Sequence, residues 1–457
     1  MSAQDTVYVE GLKYILGSEK NFAYVVGYQQ GITEANIPSA FYYNGNRYRV
    51  MCVQPYAFEN CTTLTSFTWE VVDESLLGPN YCYEMAGAIC EGAFKGCTHL
   101  ASFRIGKDCY MYANGSTFQD CVSLKSLYFP SCNHHRSSIG DHMFAGCTNL
   151  ESVVFEYPYF PDYSNNWIGA YAFAGCVNLH QINLSELDHI STHVFDGCIS
   201  LENVYGCDDI DKIDSCAFKN CVRLKSLNLP DLQCIGMNAF YNCLDLRVLN
   251  VGQYAYDIPY WAFPNCPRLT EINVSEENTT YKSVKGSLYT KSMNELRIAL
   301  PKSSTHFYIE EGVSRVQAGA FDGCYQLGFL SLPSGLSELD GPLSETVTTI
   351  VCNGSTWVSY SSFRWYVDDF DRGNCYLYVP ASAWNAYSSR SPWNSFKEII
   401  PMRDANSNGK IDIGDITLLI DMLLADDYQD YPDILIDNDE KLTIDAVTSM
   451  ISLLMQM

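Results

Sequence analysis

Ala217-Phe-Lys-Asn-Cys-Val-Arg-Leu-Lys-Ser-Leu-Asn-Leu-Pro230 decides how this chain reads. Its frame, Phe-x-x-Cys-x-x-Leu, occurs ten times. The sets are Phe58/Cys61/Leu64, Phe94/Cys97/Leu100, Phe118/Cys121/Leu124, Phe144/Cys147/Leu150, Phe173/Cys176/Leu179, Phe195/Cys198/Leu201, Phe218/Cys221/Leu224, Phe240/Cys243/Leu246, Phe263/Cys266/Leu269 and Phe321/Cys324/Leu327. Seven of the ten Phe follow Ala. Three residues after the Leu comes another apolar side chain (Leu227, Ile272, Leu330), and two further on a third (Leu229, Val274, Leu332). From Phe173 to Phe263 the period is 22 or 23 residues. A fixed period of this length means stacked coils, none of which can bury its apolar face alone.

The coil can be read further. Side chains alternate across a strand, so the last two apolar positions share one face of a short strand. Each coil adds that strand to a parallel sheet, about 4.8 Å from its neighbour. Ala and Phe pack the other side, and Cys sits at the turn back to the strand as a small buried hydrophobe. Longer spacings mark insertions. Pro158 and Pro161 make Glu156 to Tyr163 a loop, because proline removes a ladder donor. From Phe263 to Phe321 the sequence predicts a hairpin and a divergent coil without the Phe/Cys signature.

These ten segments resemble the BspA-like leucine-rich repeats of bacterial cell-surface proteins. The resemblance covers residues 50 to 335 directly. It implies an α/β, mostly β, repeat fold: a leucine-rich-repeat solenoid with a parallel sheet and capped ends. It divides the chain into an N-terminal β cap (1–50), the solenoid (51–340), a C-terminal cap (341–400) and a separate tail (401–457). Caps cover the apolar faces and open edges that end coils otherwise expose.

Composition narrows the function. The chain has 457 residues and a net charge of −25, from 28 basic and 53 acidic residues. That argues against nucleic acid and against an anionic membrane surface. No apolar run has the length of a membrane span, and no signal-peptide pattern follows Met1. Secretion or surface display is therefore implied by the resemblance alone. Ten of the 20 Cys share one repeat position, a geometry that disfavours disulfides, so reduced thiols are expected. Cys216 with Cys221, or Cys198 with Cys207, remain open as pairs. No Cys-x-x-Cys suggests zinc.

After Pro401 the composition changes to twelve acidic against three basic residues. Asp404-Ala-Asn-Ser-Asn-Gly-Lys-Ile-Asp-Ile-Gly-Asp415 places side-chain oxygens at Asp404, Asn406, Asn408, Asp412 and Asp415, with Gly409 at the sharp turn. Lys410 contributes its backbone carbonyl. That is the spacing of an EF-hand calcium loop. An apolar-faced helix from Asp415 follows. The tail looks like a type I dockerin, a small α-helical calcium module whose relatives dock onto cohesins, so a cohesin-like partner is implied. A second loop, Leu435 to Ala446, lacks ligands at its ends and should bind weakly.

No catalytic constellation is present: neither Gly-x-Ser-x-Gly nor His-Glu-x-x-His occurs. His134-His135, His142, His180, His189 and His193 read as isolated surface residues. Tyr157, Tyr159, Tyr163, Trp167, Trp357, Tyr360 and Trp365 are aromatics the repeat does not account for. Aromatics of this kind serve interfaces and stack on sugars. The reading is a non-enzymatic binding protein, secreted or at the cell surface. It would hold a protein or glycan on a host or neighbouring cell. The alternative is a scaffold component docked through its tail.

Overall fold

The computed structural model describes residues 6–17, 21–69, 87–106, 109–111, 115–129, 139–155, 167–185, 187–300, 304–341, 343–361, 371–402, 414–418, 420 and 451. The chain forms two compact units: residues 1–269 with 273–279, and residues 270–272 with 280–457.

In the first unit the Leu-x-x-apolar-x-apolar segments form strands that pair in parallel. Ser66–Trp69 lies beside Ser102–Ile105, Ser126–Phe129 beside Ser152–Phe155, Gln181–Asn183 beside Asn203–Tyr205, and Ser226–Leu229 beside Val248–Val251. Registers run without slip, Leu227 opposite Leu249 and Asn228 opposite Asn250. A second parallel stack uses two residues per coil: Trp167–Ile168, His189–Ile190, Lys212–Ile213 and Cys234–Ile235. Between the two stacks the return limb consists of turns. Among the described residues, the α part of the expected α/β class is confined to Trp384–Ser388 and helical residues at 414–418, 420 and 451.

Those turns have a ladder of their own. The Phe218 N–H donates to the carbonyl of Ala239 in the next coil, and Phe195 does the same to Ala217. Every Phe from Phe58 to Phe240 has this bond. The rings stack nearly parallel, with centroids 5.2 Å apart for Phe195 and Phe218 and 5.5 Å for Phe218 and Phe240. The Cys thiols complete the arrangement. Each repeat S–H from Cys97 to Cys266 donates to the Phe carbonyl of the preceding coil, for example Cys221 to Phe195 at 3.2 Å and Cys147 to Phe118 at 3.0 Å. A thiol fits because it is small and apolar yet carries one donor. All eighteen described cysteines are free, including those of the two pairs the sequence left open.

The residue before each repeat Cys is always Gly, Asn or Asp, at φ +57° to +86°. The turn demands a left-handed residue there, and only these types take it cheaply.

The first unit begins with an antiparallel meander. Thr6–Val9 pairs with Leu12–Leu16, which pairs with Phe22–Tyr28. Phe22–Tyr28 then runs parallel to Asn46–Val53, itself hairpinned to Ala40–Tyr43 through Asn44-Gly45. Both turn residues have positive φ, the two-residue hairpin geometry that Asn-Gly favours.

The second unit carries three antiparallel strands where the sequence predicted one hairpin: Tyr281–Val284, Ser287–Thr290 and Glu295–Ile298. Ser292 and Asn294 close the second turn through hydrogen bonds that a strand-period reading does not detect. A five-stranded parallel sheet follows: His306–Tyr308, Phe329–Leu332, Thr349–Cys352, Tyr376–Pro380 and Glu398–Met402.

Candidate binding surface

Alternation along each strand of the first unit sends one set of side chains inward, such as Phe103, Leu127, Ile182, Leu227 and Leu249, all buried. The other set faces outward in rows, because the registers are exact. One row holds Thr68 opposite Arg104, Tyr128 opposite Val154, Asn183 opposite Tyr205, and Asn228 opposite Asn250. The Asn273 side-chain amide donates to Asn250 Oδ1 at 3.0 Å. The neighbouring row is Ser102, Ser126, Ser152, Gln181, Asn203 and Ser226. Tyr128, Val154 and Tyr205 are half exposed, at 50%, 50% and 53%.

Charge borders this face. Lys225 and Arg223 both reach Glu202, at 3.0 and 3.4 Å, and Arg268 pairs with Asp245. The Lys225 ammonium, first through its hydrogen bond, holds the Glu202 carboxyl below its ordinary range. The face thus combines aromatic rings, amides and hydroxyls with paired charges. That chemistry hydrogen-bonds and stacks on a ligand without needing a charged one.

Several of the aromatics singled out by sequence belong elsewhere. Tyr157, Tyr159, Tyr163 and Trp365 lie outside the described residues, and of Trp167 only the backbone strand is described. Trp357 is 41% exposed, with the Arg390 guanidinium 5.1 Å from its ring centroid. Tyr360 is half-buried, edge-on to the buried Trp393 at 5.9 Å and beneath Arg372 at 5.2 Å. It packs against the core of the second unit. The strand-face tyrosines escaped the sequence reading, although a Tyr at the x of Leu-x-Leu marks both Tyr128 and the outward row. Tyr241, Trp261 and Met237 are also exposed, on the turn side of their coils.

The histidines are not all isolated. His142, Tyr171 and His193 occupy the same coil position and stack, with centroids 4.8 and 4.6 Å apart and planes within 5°. His193 Nδ1 lies 2.8 Å from Asp196, and His189 Nε2 lies 2.9 Å from Asp214. Repeat register brings together what is distant in sequence.

Of the calcium-loop residues, Asp404, Asn406, Asn408, Lys410 and Asp412 lie outside the described residues, as does the second loop. Asp415 is described and fully buried at the start of a helical segment. Among the described residues, no group of three His, Cys, Asp or Glu is placed to hold a metal. None of their helices is long and apolar enough to cross a membrane.

Residues 83–202 and 166–292 match the family model described as BspA type leucine rich repeat region, in six copies. No curated protein matches. Among solved structures, the chain is similar to a leucine-rich repeat protein from Bacteroides ovatus, at 19% identity and a TM-score of 0.56. That match covers 86% of this chain and 99% of the other. A leucine rich cell surface protein from Faecalibacterium prausnitzii is similar at 17% identity over 88% of this chain and 96% of its own, with a TM-score of 0.42. The Bacteroides likeness establishes a shared leucine-rich-repeat solenoid fold.

Proposed function

We propose that this is a non-enzymatic binding protein, secreted or displayed on a cell surface, whose ligand lies on the strand face of the first unit. One observation carries the reading: outward positions with Tyr128, Val154 and Tyr205 half exposed among hydroxyls and amides, in register within each strand pair. Solenoids use the strand faces of their stacked coils to hold extended partners. Surface location rests on the likeness of the repeats to the BspA type. The ligand class is a protein or glycan on a host or neighbouring cell, since aromatic rings with flanking amides serve both.

The test is binding of purified protein to panels of matrix proteins and of immobilised glycans. It compares the wild type with Tyr128→Ala/Tyr205→Ala and with Trp357→Ala. Loss confined to the strand-face double variant supports the assignment. Retained binding there, or loss with Trp357→Ala alone, moves the site elsewhere.

For the tail, the spacing from Asp404 to Asp415 supports calcium binding, with a cohesin-like partner as the alternative route into a larger assembly. Calorimetry with calcium on the full chain tests it. Asp404→Ala together with Asp415→Ala should remove one binding event, and an unchanged titration would sink the loop.

A further inference from the structure

The second unit buries the side of its five-stranded parallel sheet that faces away from its core. Leu330, Leu332, Ile350, Leu377 and Val379 point into that core. On the other side the register sets Tyr308, Ser331, Val351, Tyr378 and Ile400 in one row across the five strands. Ser331 is 5% exposed and Val351 1%, and on the same side Phe329 is 3% and Met402 2%. Flanking side chains do not account for this. Ser331 is too short to roof Val351. In the first unit Val154 has a tyrosine, Tyr128, directly opposite it and stays 50% exposed. Val351 has Tyr378 opposite it and is closed to water, so a further layer lies on this face. Among the described residues, the apolar cluster on this side draws all its members from the sheet itself: Phe329, Val351 and Met402, with Tyr308 and Tyr378.

We propose that the covering layer is the chain's own C-terminal tail, residues 403–457, which lays an apolar helix face over Phe329, Val351 and Met402. Four observations name this occupant. The tail starts on the face: Met402 is the last residue of the last strand, in register with Pro380, and its side chain belongs to the cluster. The tail carries buried surface of its own, since in the helical segment 414–418 Ile416 is 3% exposed and Asp415 not at all. Ile416, Leu419, Ile420 and Leu423 recur at the spacing of one helix face. Sheet and tail also fall in one compact unit, which holds residues 280–457.

Reach permits the contact. Phe329 lies three strands from Met402, about 14 Å away. Fully extended, the twelve residues 403–414 span up to about 40 Å. Kept apart, the helix stripe and the sheet face would each hold apolar surface in water, a cost that grows with area. The rival cover is the segment 362–370. It leaves from Ser359–Ser361, which pairs with Glu338–Asp340 in the other parallel stack and not on this face. With the tail in place the strand face of the second unit is closed to a ligand, and that of the first unit stays open.

Photo-crosslinking of the full chain tests the contact. Tyr378, half-buried in the row, is replaced by p-benzoylphenylalanine, the protein is irradiated, and the joined peptides are sequenced. A bridge within one molecule to residues 414–457 is expected. Bridges that reach only other segments, 362–370 among them, overturn the proposal. A second arm reads the face without an added group, because hydrogen peroxide converts an accessible thioether to its sulfoxide. In the wild type Met402 should react about ten times more slowly than Met237, which is 57% exposed. Ile416→Asp should bring Met402 to within about three-fold of Met237, while Met143, buried in the first unit, stays protected. Met402 that reacts like Met237 in the wild type, or stays protected in a folded Ile416→Asp variant, overturns the proposal. The crosslink decides the matter even if that variant fails to fold.

Discussion

The outward strand faces of the two units differ sharply. In the first unit the row carries Tyr128, Val154 and Tyr205 at 50–53% exposure, with Ser and Asn between them. In the second unit the strands Phe329–Leu332, Thr349–Cys352 and Glu398–Met402 present Phe329, Val351 and Met402 on the face opposite the core, all at 3% or less. These three form a distinct apolar cluster with Tyr308 and Tyr378. Both faces are built on the same parallel pairing, and both have inward rows of Leu and Ile. What differs is the side chains on the outward face. Strand geometry sets which way a side chain points; its chemistry decides whether that face serves as an open surface or as a second core.

If the inner packing is common to both units, alkali should break both alike and with the largest effect. Burial raises the native thiols from 9 to about 12 at Cys97, Cys147 and Cys266 in the first unit and at Cys324, Cys352 and Cys375 in the second. The native state thus holds these protons longer than the unfolded state. Their contribution is full below pH 9 and is lost as pH rises through 12. Alkylation by iodoacetamide at pH 10 should leave these thiols unmodified in the folded protein and label them on adding denaturant. Labelling of most of the thiols in the folded protein at pH 10 would refute the buried ladder.

Phe218→Ala should come next, at about 4 kcal/mol, because a fully buried ring in a continuous stack leaves a cavity that its neighbours cannot fill. Phe329→Ala sharpens the comparison. It should cost about 3 kcal/mol in denaturant melts, whereas Tyr205→Ala on the equivalent face should stay within about 0.5 kcal/mol. Equal costs would mean that the two faces are not different in kind. Gly197→Ala should lie between them, at about 1 to 2 kcal/mol. Gly197 has φ +80°, and the nearest atom to an added Cβ is 3.7 Å away, so the loss isolates backbone conformation from crowding.

Much of this was legible in the chain. The Phe, Cys and Leu of each repeat, and their burial, follow from one aligned motif. So do the strand positions, since Leu227 and Leu229 had to share a face. The left-handed residue before each repeat Cys is also written there, as Asn220 or Gly197, but it lies outside the apolar pattern. Candidate site residues fared differently. Tyr157 and Trp357 were chosen for lying outside the repeat, whereas Tyr128 and Tyr205 lie inside it. A residue at x has no apolar periodicity to announce it.

Periodic burial belongs to the sequence itself, because each coil repeats the same local demand for an apolar strand, a tight turn and a small thiol. Lateral neighbourhood belongs to the tertiary structure. Coil spacings vary from 22 to 36 residues along the first unit. Only stacking therefore determines that His142, Tyr171 and His193 meet, or that Asn273 bonds Asn250. Those contacts run along the solenoid axis, perpendicular to the chain, and the linear order of residues does not encode that direction.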